Sequence, residues 1–381
     1  MFGNLLVFSF LYFKQHFLKT YSLKIRLNSD FKLFIMRMEE LKSGETNPWA
    51  EFNKNISKYQ TPDVWKSIWQ IINTFVPYVG LWILIALSLS VSYWITAVLS
   101  VIAAGFLVRL FIIFHDCGHG AFFRSKKANT FVGVTLGIFT FTPYFNWHKK
   151  HMNHHATVGN LDKRGEGDVW TMTVEEYLKS SKWKRFQYKV YRHPITMFGV
   201  GSLYVFLGEN RITNKSMSRK EKLNVHLTNF GLLVLFAAMS WAIGFFTFLI
   251  IQIAILYIAA IAGFWLFYLQ HQFEDVSWVR NSDWNYREIA LDGSSFVKFP
   301  KLLQWFSGNI GYHHIHHINA RIPNYKLEKC YKENAIFKEV EPVTFLKSLK
   351  TLKLRLWDEK SQRLIGFKEL QVQYVTRKNE S

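Results

Sequence analysis

The chain has 381 residues, 49 % of them hydrophobic and 17 % aromatic, with a formal net charge of +20. That length is ample for several membrane spans, and the charge points to anionic lipid or an acidic protein partner; long apolar runs exclude a nucleic-acid binder. Two cysteines, Cys117 and Cys330, lie outside any CxxC motif, which excludes a disulfide scaffold.

The first 35 residues admit two readings. Residues 2–13 are apolar but too short for a span, and they lack the basic start and small-residue cleavage site of a signal peptide. Either translation starts at Met36 or Met38, ahead of the polar stretch 39–46, or the segment is an amphipathic anchor. The first long apolar block, 76–114, is nearly charge-free up to Arg109 and holds two spans with a turn near 90–93. The second, 232–269, holds two more, broken near Gly244. Between them runs a basic stretch, 124–222, with two shorter apolar pieces at 129–145 and 194–208 that read as buried or interfacial helices. No further span is expected after His271. The turns inside each pair carry no Lys or Arg, whereas the flanking segments are rich in them. The positive-inside rule then places both termini and the middle stretch in the cytoplasm. The expected organisation is an N-terminal cytoplasmic segment (1–70), a membrane domain (71–272) with a cytoplasmic insertion (120–228), and a C-terminal cytoplasmic part of the same domain (273–381).

Of 14 histidines, most fall in three tight clusters. HDCGH (115–119) places His115 and His119 one helical turn apart on one face. HMNHH (151–155) and HHIHH (313–317) both contain HxxHH, which offers i, i+3 and i+4 positions. His271 closes the fourth span. Nine histidines therefore gather at one membrane surface: His115, His119, His151, His154, His155, His271, His313, His316 and His317. At about 0.04 histidines per position, one HxxHH is expected about 0.02 times per chain, so two beside a third cluster are not chance. Imidazole suits zinc, iron, copper and nickel. Nine ligands are too many for one ion and about right for two. A structural zinc site closes with four ligands and usually includes cysteine, and the carboxylates of soluble di-iron bundles are missing here. A histidine-rich metal transporter would need ionisable residues within the spans, and these spans are apolar.

The three segments resemble the histidine boxes of the membrane fatty acid desaturase family. The likeness continues through HHATVGNLDKRGEGDVW (154–170), QHQFED (270–275) and GNIGYHHIHHINARIPNYKLE (308–328), and covers about residues 61–358. It is strongest to bacterial acyl-lipid desaturases of the Δ5 type. The resemblance implies an all-α integral-membrane fold, with four transmembrane helices in two hairpins and a cytoplasmic helical cap. It implies two iron ions on the nine histidines, O2 as co-substrate and a cis double bond placed in phospholipid acyl chains. It implies a multi-pass protein of the bacterial cell membrane with a cytoplasmic active site. Hydroxylases and carotenoid ketolases share the boxes, so a lipid hydroxylase or ketolase remains the alternative. Phe267 stands where animal acyl-CoA desaturases carry an Asn, which puts a tenth, water-mediated ligand in doubt. His148 and His314 fall outside the template and read as supporting or structural.

Asp116, Asp168 and Glu274 are candidates to orient imidazoles through their second nitrogen, or else ordinary caps and ion pairs. Cys117 reads as small filler in a helix turn. Phe264, Trp265, Leu266 and Leu110 either line an acyl tunnel or face lipid and neighbouring helices. His16, His193 and His226 form no haem-ligand pattern, so electrons come from a separate protein. The basic surface (Lys126, Lys127, Lys149, Lys150, Lys163, Arg164, Lys182, Lys184 and Arg185) suits an acidic ferredoxin or flavodoxin, or simply satisfies the positive-inside rule.

Overall fold

The computed structural model describes residues 48–372 apart from Glu166; the segment 1–35 and the alternative starts Met36 and Met38 lie outside them. The chain divides into two units, Met1–Lys58 and Tyr59–Ser381. The described part of the first contains one helix, α1 (Pro48–Ser57).

The second unit is built on two helical hairpins. The first pairs α2 (Val64–Ser88) with α3 (Tyr93–Gly118). Four helices of this unit, these two among them, are 25 to 27 residues long and each contains an apolar stretch long enough to cross a membrane. At a rise of about 1.5 Å per residue each exceeds the roughly 30 Å of a bilayer's hydrocarbon. The turn falls at 89–92, as expected, but α2 starts well before residue 76. Its N-cap is Asp63, whose carboxylate accepts from the Lys66 amide at 3.2 Å. Trp65 and Trp69 in its first turns are exposed, as the tryptophans of an interfacial aromatic belt are. Polar residues interspersed there dilute the hydropathy signal without stopping the helix.

Between the hairpins lie α4 (Lys126–Phe139) and α5 (Tyr144–Thr157). The piece read as one unit over 129–145 is thus broken, with Phe141 at φ +55° in the corner. A side chain at Gly133 would collide with the Tyr144 ring, so glycine is what lets α5 fold back on α4. Strand β1 (Met172–Thr173), α6 (Val174–Lys179) and α7 (Lys182–Tyr191) follow. A π-helical turn (Ile195–Val200) then runs into α8 (Gly201–Leu207), matching the second short apolar piece.

The second hairpin is α9 (Arg219–Ile243) and α10 (Phe245–His271), hinged at Gly244 with φ +85°. That left-handed backbone suits glycine and places the break where the sequence puts it. A capping box, Ser218 with Glu221, starts α9 far ahead of its apolar run. The shared core sets Leu107, Leu110, Ile113 and Phe114 of α3 against Tyr78 and Ile85 of α2 and Phe248, Ile251 and Ile255 of α10. The outward faces, such as Val98, Val101 and Ile250, stay bare, as lipid-facing surfaces do.

The C-terminal part is a chain of short elements. These are α11 (Tyr286–Asp292), β2 (Phe296–Val297), α12 (Lys301–Phe306), α13 (His313–Ile318), α14 (Asn324–Glu333), β3 (Pro342–Val343), α15 (Phe345–Thr351), β4 (Leu356–Asp358) and β5 (Arg363–Ile365). Two small sheets tie them down. β1 pairs parallel with β4, which pairs antiparallel with β5, and β2 pairs parallel with β3. Among the described residues no further helix is long and apolar enough to span. Instead α12 packs on α3, with Phe306 against Gly105 and the Trp305 and Phe106 rings 5.7 Å apart. Arg109, buried within a span, is held by neutral polar and aromatic partners at this contact. It donates from Nε to Thr74 Oγ1 at 3.1 Å and from Nη1 to the Trp305 carbonyl, and its guanidinium lies 3.9 Å from the Trp305 ring centre.

Candidate metal centre

The nine histidines come from four elements that end at one level. His115 lies in the last turn of α3 and His119 is its C-cap. His151, His154 and His155 sit on α5, His271 is the last residue of α10, and His313, His316 and His317 sit on α13. β2 presents α13: Val297 N donates to the Gly311 carbonyl at 2.8 Å, and His314 N donates to the Ser295 carbonyl at 3.2 Å.

They form two groups, each able to hold a metal ion. One is His115, His119, His151, His155 and His316; the other is His154, His271, His313 and His317. Both HxxHH helices serve both groups. Their i, i+4 pairs stay together (His151 with His155, His313 with His317) while the i+3 residue, His154 or His316, turns to the other group. No cysteine or carboxylate joins either group among the described residues. The second group is wholly buried, whereas His119 and His151 are partly exposed.

The spacing speaks to coordination. In the first group the Nε2–Nε2 distances are 3.0 Å for His151–His115, 3.2 Å for His155–His151 and 3.1 Å for His316–His155. In the second they are 3.1 Å for His154–His271, 2.9 Å for His313–His271 and 3.0 Å for His317–His313. With metal–nitrogen bonds of about 2.1 Å, ligands at right angles lie about 3.0 Å apart and tetrahedral ones about 3.4 Å. The observed values are those of imidazole nitrogens close enough to share one ion.

Protons lead to the same place. His154 Nδ1 meets Asp168 Oδ1 at 2.6 Å, and His271 Nδ1 meets the Gly293 carbonyl at 3.0 Å. A neutral ring that donates from Nδ1 has a bare lone pair at Nε2. Two such lone pairs face each other 3.1 Å apart at His154 and His271. A metal cation between them removes that repulsion and uses both lone pairs. Burial first, then neighbouring imidazoles, pushes His119, His151, His155, His313, His316 and His317 well below the usual histidine range. These rings are therefore neutral, the form that binds metal.

Two of the three candidate orienting carboxylates are in place. Asp116 Oδ1 lies 3.1 Å from His115 Nδ1, and Asp168 backs His154. Glu274 does not follow: it is exposed, and the Gly293 carbonyl takes the role at His271. A backbone oxygen held by the turn after α11 cannot be read from a side-chain pattern. Phe267 packs its ring 5.2 Å from His154 and 5.3 Å from His271, an apolar wall where a polar residue would hold water. His148 stacks on Tyr144 outside both groups, and His314 is buried beside Phe296 and Phe337, with burial pushing it down to about 3. Cys117 is buried, as filler should be. The four tunnel candidates divide: Leu110 belongs to the core of the spans, whereas Leu266 is buried and Phe264 and Trp265 pack on a separate cluster around Tyr268 and Trp278. One feature escaped the sequence reading altogether. Trp147, one turn before His151, stacks on that ring at 4.5 Å.

The basic surface is thinner than its residue count. Arg164 binds Glu176 and the Leu161 and Thr171 carbonyls, Arg185 binds the Ser180 and Leu178 carbonyls, Lys150 pairs with Glu209, and Lys149 lies near Glu221. Lys126, Lys127, Lys163, Lys182 and Lys184 are exposed.

Four apolar helices of span length, two of them ending in histidines that join those of α5 and α13 in two all-histidine groups, define a membrane protein able to hold metal. The fatty acid desaturase family model matches residues 92–343. The chain is 46 % identical over 320 residues to a fatty acid desaturase of Bacillus subtilis, covering 84 % of this chain and 91 % of that one. It is 29 % identical over 233 residues to an sn-1 acyl-lipid omega-3 desaturase (ferredoxin) of a Synechocystis species, covering 58 % and 62 %. An sn-1 oleoyl-lipid 12-desaturase of Synechocystis is 24 % identical over 248 residues, covering 60 % and 66 %. The chain belongs to the fatty acid desaturase family, and is a membrane-bound desaturase, an oxidoreductase.

Proposed function

We propose that the five-histidine and four-histidine groups each hold one iron ion, and that the protein places a cis double bond at Δ5 in phospholipid acyl chains on the cytoplasmic side of a bacterial membrane. The observation that carries this reading is the interlocking of two all-imidazole groups through the same two helices, α5 and α13, at the ends of the spans. No side-chain base can deprotonate an unactivated CH2 pair. Bound iron, with O2 and two electrons, supplies an oxidant strong enough to take hydrogen from it. Overall, one O2, two electrons and two protons are consumed, one CH2–CH2 becomes CH=CH, and two waters leave.

The chain's own residues hold and exclude. Asp116 and Asp168 keep His115 and His154 with Nδ1 protonated and Nε2 free. Phe267 and the apolar core keep bulk water from the buried group, and the spans admit the acyl chain from the bilayer. A chain bent at the site presents two hydrogens on the same side, hence cis. Position follows from the distance between the held head group and the metals. The names of the relatives include omega-3 and 12 positions, so the family sets no single one; Δ5 rests on the likeness of the histidine segments. The electron donor is an acidic ferredoxin or flavodoxin, a reading supported by the exposed lysines and by the ferredoxin in one relative's name. Lys- and Arg-free hairpin turns support the cytoplasmic orientation.

The test is expression in a host that lacks desaturases, followed by cleavage of new double bonds and mass analysis of the fragments. A cis-Δ5 phospholipid chain is expected. A Δ9 or Δ10 product overturns the position and leaves desaturation standing; a hydroxylated or keto product overturns both.

A further inference from the structure

Asp116 is a carboxylate 2 % exposed, at the inner end of α3. No Lys or Arg pairs with it among the described residues, so its charge must be met by hydrogen bonds. Oδ1 faces His115. Oδ2 accepts two bonds from one residue, Asn324: from its backbone N at 2.7 Å and from its side-chain Nδ2 at 2.8 Å. Asn324 is the first residue of α14, directly after Pro323, and is 1 % exposed. Its amide is locked from the other side, since Oδ1 accepts from Gln70 Nε2 of α2 at 2.9 Å. Gln70 belongs to a further series: its carbonyl accepts from Thr74 Oγ1, which accepts from Arg109 Nε. The carboxylate is acceptor-only, so Nδ2 must face it and Oδ1 must face Gln70; the assignment has no alternative.

The other orienting carboxylate is held differently. Asp168 Oδ2 has no hydrogen-bond partner among the described residues. The two orienting carboxylates therefore differ in what fixes them: among the described residues Asp116 is tied to the segment after α13 and Asp168 is not.

We infer that Asn324 is a positioning residue for the five-histidine group, acting through Asp116 on His115. This rests on the reading of both groups as metal sites. Asn324 holds the Asp116 carboxylate in the plane that accepts the His115 Nδ1–H, which keeps the Nε2 lone pair aimed at the ion. Without its side chain, Asp116 Oδ2 keeps the backbone donor but loses the second one, and the carboxylate is freer to turn.

The experiment titrates the purified, metal-stripped full-length protein with Fe(II) under anaerobic conditions, and with Co(II) for its ligand-field absorption. The wild type should take up two ions per chain. Asn324→Ala should bind one ion as the wild type does and the other about 10–100-fold more weakly. Asn324→Asp, which sets a second carboxylate against Asp116, should be worse. Asp116→Asn should weaken the same ion, and the double variant Asn324→Ala with Asp116→Asn should be no weaker than Asp116→Asn alone. A residue that merely starts α14 would give additive losses instead. Two ions bound by Asn324→Ala with wild-type affinity and spectrum, or additive losses in the double variant, overturn the inference. If Asn324→Ala does not fold, Asn324→Ser, which keeps the helix start and loses the second donor, replaces it in the same cycle. A wild type that binds neither ion overturns the underlying reading of the groups, a distinct outcome.

Discussion

His154 and His155 are neighbours in the chain and serve different groups, because successive residues on a helix point about 100° apart. Single substitutions should therefore separate the ions. His155→Ala should cost the ion of the five-histidine group and His154→Ala that of the four-histidine group, read as metal per chain, and both should reduce desaturation to background. His193→Ala should do neither; His193 is exposed and its Nδ1 accepts from the Ile195 amide at 3.3 Å, away from both groups. Normal metal content and activity in His154→Ala would refute the two-ion assignment. Asp168→Asn is a subtler probe. It preserves size but exchanges a charged acceptor for a neutral amide at His154. Metal affinity of the four-histidine group should fall about 10–100-fold with the other group unaffected, measured by competition with a chromophoric chelator.

At the scale of elements, the fold spends much of its polar bonding on clamping short C-terminal pieces to the spans. The clasp of Arg109 with Trp305 holds α12 along α3. Arg109→Met keeps the bulk but leaves the Trp305 carbonyl and Thr74 without their donor. A loss of about 1–3 kcal/mol is expected in denaturant unfolding, together with faster tryptic cleavage after Lys301. An unchanged cleavage rate would show that α12 is held by its aromatic contacts alone. The corner between α4 and α5 is tighter still. Gly133→Val would drive a side chain into Tyr144, whose hydroxyl donates to the Cys117 carbonyl at 2.7 Å in the last turn of α3. Overpacking of that kind costs about 1–3 kcal/mol, and here the displacement passes to His115 and His119. Metal content should fall along with stability.

For the whole molecule, charge and apolarity are segregated. Both hairpin turns lack Lys and Arg, and the exposed lysines 126, 127, 163, 182 and 184 gather in the segment between the hairpins. Exposed charges act through a field that salt screens within about 8–10 Å at 0.1–0.15 M. If these lysines steer an acidic donor, turnover at sub-saturating donor should fall as ionic strength rises and should return to its low-salt value when donor is saturating. A flat response would leave the lysines with topology and lipid contact only.

The sequence by itself determined what depends on local spacing. Apolar runs of about span length, a glycine at the hinge and a polar break at 89–92 dictate two hairpins, because length and hydropathy decide whether a helix crosses a bilayer. Histidines at i, i+3 and i+4 dictate ligand-bearing helix faces, and Asp116 and Asp168 were legible as orienting groups from their nearness in the chain to those ligands. The starts of α2 and α9 were not legible, since capping side chains extend a helix beyond its apolar run. Tertiary structure alone decided the rest. It sorted nine histidines into five and four, gave His271 a backbone carbonyl instead of Glu274, and tied Arg109 to Trp305 and Asp116 to Asn324, 208 positions apart. Such pairs carry no periodicity, because their geometry comes from how distant elements pack and which buried polar groups remain to be satisfied.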